Sequence, residues 1–392
     1  MGREDGLVLI RAWLCGLSIA GCVACPLTQD VAAEDPCFTS AQLIKKAVSL
    51  GEGADAEVDL YKEAHRLCPK MAEAPFNLGL AYQKRGDLEG AERELRKAVS
   101  LKDEDLFRVG LAGVLLQKGE VAAAREQYDA ALERNPKSVP AQQGIAVILE
   151  KQRKLPEAIE VLERAGQIDQ TNAVTFFNLG VLSEKLNRFE AALAAYKRAA
   201  DHDPKHPQAL IALASVQARL GYLHDARRSF QRAAEMSPDD ARVQVGLAEV
   251  YEKLGERSLA ESALRRVVAL SPQNVLAQVN LGILLNESHK FHEASILLRK
   301  VSEFDGGNAR VWSALGRAQL ELGDTLAAES SLRRAVSLDG ANPYAHNNLG
   351  VLLQRQGRRK EARKEFEVAL QLRPEMEIAR QNLEAVGGSV TD

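Results

Sequence analysis

From Phe38 onward, small and apolar positions recur with a period of 34 residues: Leu78-Gly79, Leu179-Gly180, Leu281-Gly282, Leu315-Gly316 and Leu349-Gly350 stand in one phase. Starts at Phe38, Ala72, Asp105, Val139, Ala173, Pro207, Ala241, Val275, Ala309 and Pro343 mark ten units that end at Met376. Every interval is 34 except one of 33, between Ala72 and Asp105. Counted from these starts, position 7 is Leu or Ile throughout, and position 8 is Gly or Ala in all units but the first, which has Lys45. Position 20 is Ala except at Glu57, position 24 is large and apolar (Tyr61, Tyr128, Phe230, Phe366), and position 27 is Ala or Val. Offsets of 4, 7 and 8 between apolar columns belong to helices; strands alternate every second residue.

Two kinds of punctuation divide the period. Gly86, Gly119, Gly221, Gly255, Gly323 and Gly357 occupy position 15, with Asn187 in another unit; these residues tolerate a left-handed helix end. Pro69, Pro136, Pro204, Pro238, Pro272 and Pro374 occupy position 32, where a residue without a backbone N–H stops the second helix. Each unit therefore reads as helix, tight turn, helix and proline-marked turn. Gly or Ala at positions 8, 20 and 27 lets helix backbones approach closely, and the large side chain at 24 fills the adjoining space. One hairpin cannot bury its apolar face alone; stacked neighbours can.

This pattern resembles the tetratricopeptide repeat over about 86% of the chain. The Leu-Gly, Ala and Pro positions of the family signature are met. The tryptophan column holds only Trp312, with Pro75, Gln142 and His346 elsewhere. The resemblance implies an all-α, right-handed α-solenoid of antiparallel helix pairs that serves as a protein-binding scaffold. Residues 1–37 form a leader and junction, 38–376 the ten units, and 377–392 a capping helix with a short tail. The first unit, with Lys45 and Glu57, departs most and reads as the amino-terminal cap.

Charge and composition narrow the class without choosing a chemistry. The net charge is −3 and aromatics make up 5%, so neither the basic footprint nor the stacking platforms of a nucleic-acid binder are present. Residues 38–392 carry 49 basic and 49 acidic side chains, so the imbalance comes from the leader. There, Ala12 to Leu27 is free of charge, shorter than a membrane-spanning helix but matching the apolar stretch of a secretory signal. Ile19-Ala20-Gly21-Cys22 resembles a bacterial lipobox, which implies diacylation at Cys22 and membrane attachment through lipid. Glu4 and Asp5 run against the positive charge such a leader carries. The alternatives are cleavage after Val31-Ala32-Ala33, and an uncleaved or misassigned start. Cys37 and Cys68 flank the first hairpin, and their spacing permits a disulfide across its mouth that would contribute roughly 3 kcal/mol; two separate buried thiols are the other reading.

In the resembled fold the first helix of each unit lines the concave face. Position 5 supplies Phe76, Val109, Gln143, Phe177, Ile211, Val245, Val279, Ser313 and Asn347. Position 9 adds Leu80, Val147, Val181, Ile283 and Val351, with Glu249 and Arg317 as interruptions toward the carboxyl end. Position 13 is basic at Lys84, Lys151, Lys185, Arg219, Lys253 and Arg355. An apolar floor with a basic row fits a protein or peptide segment with acidic flanks. Equally, cations at a helix carboxyl end suit the helix dipole without any ligand. Asn77, Asn178, Asn280 and Asn348 at position 6, with Asn382 in the cap, match asparagines that bond peptide backbone in some family members, or serve local structure. The lysine–asparagine pair of carboxylate-clamp members is absent. His202 and His206, and His289 with His292, read as turn residues in preference to metal ligands. No cofactor, metal, nucleic acid or small-molecule substrate is expected, and no catalytic residue; the 53 residues outside the ten units leave no room for a catalytic domain. The best reading is a non-enzymatic scaffold of the bacterial cell envelope, exported to the periplasm or outer membrane. An intracellular adaptor with a misassigned amino terminus, or a targeting subunit of a separate enzyme such as a glycosyltransferase, are the alternatives.

Overall fold

A computed structural model describes residues 35–50 and 55–387. Cys22, the neighbouring Cys25 and the cleavage motif at Val31 to Ala33 lie outside the described residues. Every element within them is helical, and none of these helices is long and apolar enough to cross a membrane. In chain order they are α1 (Pro36–Leu50), α2 (Asp55–Leu67), α3 (Glu73–Lys84), α4 (Leu88–Leu101), α5 (Asp105–Lys118), α6 (Val121–Arg134) and α7 (Val139–Lys151). Then follow α8 (Leu155–Ile168), α9 (Ala173–Lys185), α10 (Phe189–His202), α11 (Pro207–Arg219), α12 (Leu223–Met236), α13 (Ala241–Lys253) and α14 (Arg257–Leu270). The last are α15 (Val275–Glu287), α16 (Phe291–Phe304), α17 (Ala309–Glu321), α18 (Thr325–Leu338), α19 (Pro343–Arg355), α20 (Arg359–Leu372) and α21 (Glu377–Ala385). Odd-numbered helices up to α19 open a hairpin and even-numbered ones close it. The chain forms two compact units, residues 1–209 and 210–392, and in each the hairpins stack in sequence order as an α-solenoid.

Each repeat boundary is made by local chemistry. Asn172, Asp240, Asn274, Asn308 and Asn342 precede the first helices and accept hydrogen bonds from backbone N–H groups of the opening turn, satisfying donors that the helix leaves orphaned. His206 does the same with Nδ1, which accepts from the Ala209 N–H at 3.0 Å; that ring is therefore neutral at Nδ1, and burial holds its pKa below the ordinary histidine value. Position 15 is left-handed in every described unit from Ala72 onward. Alongside the glycines and Asn187, Arg153 (φ 62°) and His289 (φ 58°) adopt this conformation. The turn demands it whatever residue the sequence supplies.

The tryptophan column keeps its physics while losing its tryptophan. Trp312 Nε1 donates to the Gly306 carbonyl, six residues back. Gln142 to Pro136, Gln278 to Pro272, His346 to Gly340 and Arg380 to Pro374 repeat the same bond. A side-chain donor at position 4 thus ties each of these first helices to the carbonyl that ends the preceding unit. In the first hairpin, Cys37 and Cys68 are joined as a disulfide with Cα atoms 4.8 Å apart, and the Ser40 hydroxyl donates to the buried Ala64 carbonyl at 2.8 Å.

Along the outer edges, ion pairs join a second helix to the helix–helix turn region of the next unit. Lys118 bonds Glu92, Arg227 bonds Glu256, Lys290 bonds Glu261 and Arg358 bonds Glu329. Glu329, gripped by Gln356, Arg333 and Arg358, is held down to about 2.

Two measurements test these assignments. A left-handed non-glycine residue costs roughly 1 kcal/mol, so Arg153→Gly and His289→Gly should each raise stability by about that amount in urea titration, whereas Gly119→Ala should lower it. At His346, Nδ1 faces the Glu365 carboxylate at 2.6 Å and Nε2 faces the Gly340 carbonyl at 3.1 Å, so the doubly protonated ring fits. The Glu365 hydrogen bond, opposed by burial and aided by Asp339, raises its pKa. A pKa raised on folding gives stability that is complete below the unfolded value of ~6.5 and lost as pH rises through the folded value. His346→Gln keeps the donor that Gln142 and Gln278 supply, and should abolish that pH dependence of the melting temperature.

Candidate functional site

A large side chain at position 24 decides what the inner face can carry. A Cβ added to Gly180 would stand 2.5 Å from the Tyr196 ring, and one on Gly350 2.5 Å from the Phe366 ring. Position 24 therefore fills the notch at position 8 of its own unit. It also reaches the next first helix: a Cβ on Gly144 would lie 2.1 Å from Tyr128, and one on Gly246 2.2 Å from Phe230. Both glycines occupy position 6, the column in which other units carry asparagine. Where the preceding position 24 is Leu162, Leu264 or Leu332, position 6 is Asn178, Asn280 or Asn348. Three units depart from this size rule: Tyr61 precedes Asn77, while Leu95 precedes Gly110 and Leu298 precedes Ala314.

Within residues 1–209, the position-5 residues are packed away from the face. Phe76 stacks tilted on Phe107 at 4.7 Å between ring centroids, and Phe177 lies between Tyr196 and His206 at 5.7 and 5.3 Å. Val109 is buried too. The accessible apolar row is position 9, with Leu80, Val147 and Val181 half-buried. Asn77 and Asn178 are each 5% exposed, and the Oδ1 of each has no hydrogen-bond partner among the described residues. Lys84, Lys151 and Lys185 are exposed at the helix ends. Lys185 Nζ bonds Glu150 on the preceding first helix at 2.5 Å, so one cation of the row is already neutralised. Glu184 accepts from the Tyr196 hydroxyl at 3.0 Å.

Residues 210–392 arrange the same columns differently. Val279 is buried, while Ile211 and Val245 are half-buried. Asn280 accepts from Arg310 at 3.2 Å, and Asn348 is half-buried. Asn382 donates to Asn347 at 3.0 Å, tying the capping helix to the last repeat. Arg219 and Lys253 are exposed. Arg355 bonds Glu321 and the Leu320 carbonyl at the end of the preceding first helix. Glu249, Glu252 and Glu287 face the same side; burial and the two neighbouring carboxylates raise the Glu252 pKa, offset in part by Arg310. Of these acids, Glu249 is legible as a break in the apolar column at position 9, whereas Glu252 is not, because position 12 mixes Glu with Gln, Leu, Ala and Asn.

The histidines have local partners. His202 stacks on Phe176 at 6.0 Å, and His289 meets Phe291 edge-on at 5.5 Å. Among the described residues no three His, Cys, Asp or Glu side chains converge on a common point.

The family model that matches this chain is described as "Tetratricopeptide repeat", and it matches residues 76–139, 109–173, 177–241, 219–275 and 313–377. A curated relative, the BBSome complex member BBS4 of Xenopus tropicalis, is 34% identical over 83 residues, which are 21% of this chain. The chain covers 16% of that relative's length. Among solved structures, PilF of Pseudomonas aeruginosa is 23% identical with a TM-score of 0.48, covering 53% of this chain and 95% of PilF. The APC/C hetero-tetramer Cut9–Hcn1 gives 15% identity and a TM-score of 0.44 over 90% of this chain and 87% of that one.

The size rule between positions 24 and 6 can be measured directly. Gly144→Asn should cost about 1–3 kcal/mol by overpacking, read by urea denaturation. Adding Tyr128→Leu should recover a substantial part, so that the double-mutant cycle gives a coupling above about 0.5 kcal/mol.

Proposed function

The chain belongs to the tetratricopeptide repeat family, whose members are generally non-catalytic scaffolds that bind proteins or peptides, and from this we propose that it holds a segment of a protein partner on the inner face of its first helices, in the bacterial cell envelope. The observation that carries the reading is the pair of amides at Asn77 and Asn178. Each is buried on an inner-facing helix with an Oδ1 that no group among the described residues satisfies. A buried acceptor left unpaired costs about 1–3 kcal/mol, and a backbone N–H of a bound segment would remove that cost. The half-buried Leu80, Val147 and Val181 beside them offer apolar contact. Lys151, which has no side-chain partner among the described residues, offers a cation to an acidic flank.

Placement in the envelope rests on other observations. The uncharged run from Ala12 to Leu27 with Cys22 in a lipobox-like setting fits export and lipid attachment. The Cys37–Cys68 disulfide fits an oxidising compartment. Diacylation supplies two chains, enough for stable anchoring.

A photo-reactive amino acid placed at Val181 should cross-link a protein in intact cells, and Asn77→Ala with Asn178→Ala should reduce the yield severalfold. A yield unchanged by those substitutions would remove the amides from the binding face. In the same cells, globomycin should block maturation and Cys22→Ser should abolish palmitate labelling; processing that ignores both would exclude the lipoprotein reading.

A further inference from the structure

The repeats provide their own standard for which surface positions are solvated. Positions 18 and 22 face outward on the second helix. In nine of the ten units position 22 is charged, Ser or Ala, but in α16 it is Ile296. Position 18 is charged, His, Ser, Ala or Pro in nine units, but in α18 it is Leu326. Ile296 is 61% exposed and Leu326 84% exposed, and Leu322, just after α17, is 47% exposed. The fold does not require Ile296 or Leu326, because the other units stack without a large aliphatic side chain at positions 18 and 22; Leu322 stands at position 14, which is also leucine at Leu186, Leu220 and Leu254. Two neighbouring repeats have broken the array's outer-surface rule together.

Between α16 and the α17–α18 turn lies an open cavity of about 470 Å³, to which Ile296 and Leu322 contribute. Its rim carries Arg299, Lys300 and His292. On the flanking outer surface, Arg265 pairs with Glu261 and Glu293, and Arg333 and Arg358 pair with Glu329. Arg299 and Lys300 have no such partner among the described residues. Of the acids on the rim, Asp324 already accepts from the Ala327 N–H as the cap of α18, leaving Glu303. The cavity thus joins unsatisfied apolar surface to unsatisfied positive charge.

We propose that this outer face, from α16 to the start of α18, is a second docking surface, whose occupant is a protein segment presenting Leu-, Ile- or Phe-type side chains next to Asp or Glu. It uses the opposite side of the hairpins from the inner face, so both surfaces can be engaged together. Burying the aliphatic side chains drives association, and the carboxylates select and orient the segment.

Panning a phage-displayed random peptide library on the full chain, with counter-selection on the Ile296→Lys/Leu326→Lys double variant, tests this. Recovered peptides should combine apolar residues with Asp or Glu. Their synthetic copies should lose about tenfold or more in affinity for the double variant and for Arg299→Glu/Lys300→Glu, while binding Lys185→Glu unchanged. If the lysine variant melts early, Ile296→Ser/Leu326→Ser repeats the measurement with a residue that other units carry at these positions. Recovery of no dependent peptide, or of peptides whose affinity ignores both double variants, would overturn the proposal. So would a sedimentation dimer, or flotation with phosphatidylcholine–phosphatidylglycerol vesicles, that disappears in the Ile296 and Leu326 variants; these would assign the face to a second copy or to a membrane. Loss of inner-face cross-linking in Asn77→Ala/Asn178→Ala with peptide binding retained would separate the two surfaces.

Discussion

The stack depends on one steric relation: a large side chain at position 24 seated between the small residue at position 8 of its own unit and position 6 of the next. Tyr61, Tyr128, Tyr196 and Phe366 in this column are almost wholly buried, and so are the leucines that alternate with them. Truncating such a residue removes about 2–5 kcal/mol. Because one atom group touches both its own hairpin and the next, hairpin closure and hairpin stacking are the same event. Alanines at positions 20 and 27, all buried, let the helices come close enough for that contact to form. Ion pairs along the outer edge, such as Lys118 with Glu92, then orient neighbours that packing has already brought together.

The same relation limits the inner face. An asparagine at position 6 needs space that an aromatic at the preceding position 24 has taken, so Tyr128 is followed by Gly144 and Phe230 by Gly246. Amides stand at four of the ten position-6 sites, Asn77, Asn178, Asn280 and Asn348, three of them after leucine and one after Tyr61. The amides also differ in setting: Asn178 is buried with its Oδ1 unpaired among the described residues, whereas Asn280 accepts from Arg310.

How much of this is legible in the sequence follows from which contacts are local. The period, the helix pairs and the α-solenoid come from column spacing, and the glycine column marks a left-handed turn that the backbone adopts. Arg153 and His289 stand in the same turn, yet their side chains advertise nothing of it; only position in the period does. The tryptophan column reads as eroded by residue identity, although Gln142, Gln278, His346 and Arg380 all keep its hydrogen bond. The depth of position 5 was harder to see. One turn of helix separates Phe177 from Val181, and a helical period alone does not say which of two adjacent apolar rows meets water. Phe177 is buried because Tyr196 and His206 close over it, and those partners come from another helix and a loop. The acids at Glu150 and Glu252 were hidden for a related reason, since Glu150 pairs with Lys185 on the next first helix and Glu252 is crowded by Glu287 on another.

The disulfide between Cys37 and Cys68 has a consequence for how the molecule comes apart. In a linear stack, end repeats have one neighbour and fray before internal ones. Here the opening hairpin is cross-linked, whereas the chain closes on the single helix α21, held by Ala379 and Leu383 on one side and leaving Ile378 in water. The first hairpin is thus held covalently against fraying, whereas α21 is held by packing. Reduction of that one bond would leave the first hairpin, like α21, to packing alone.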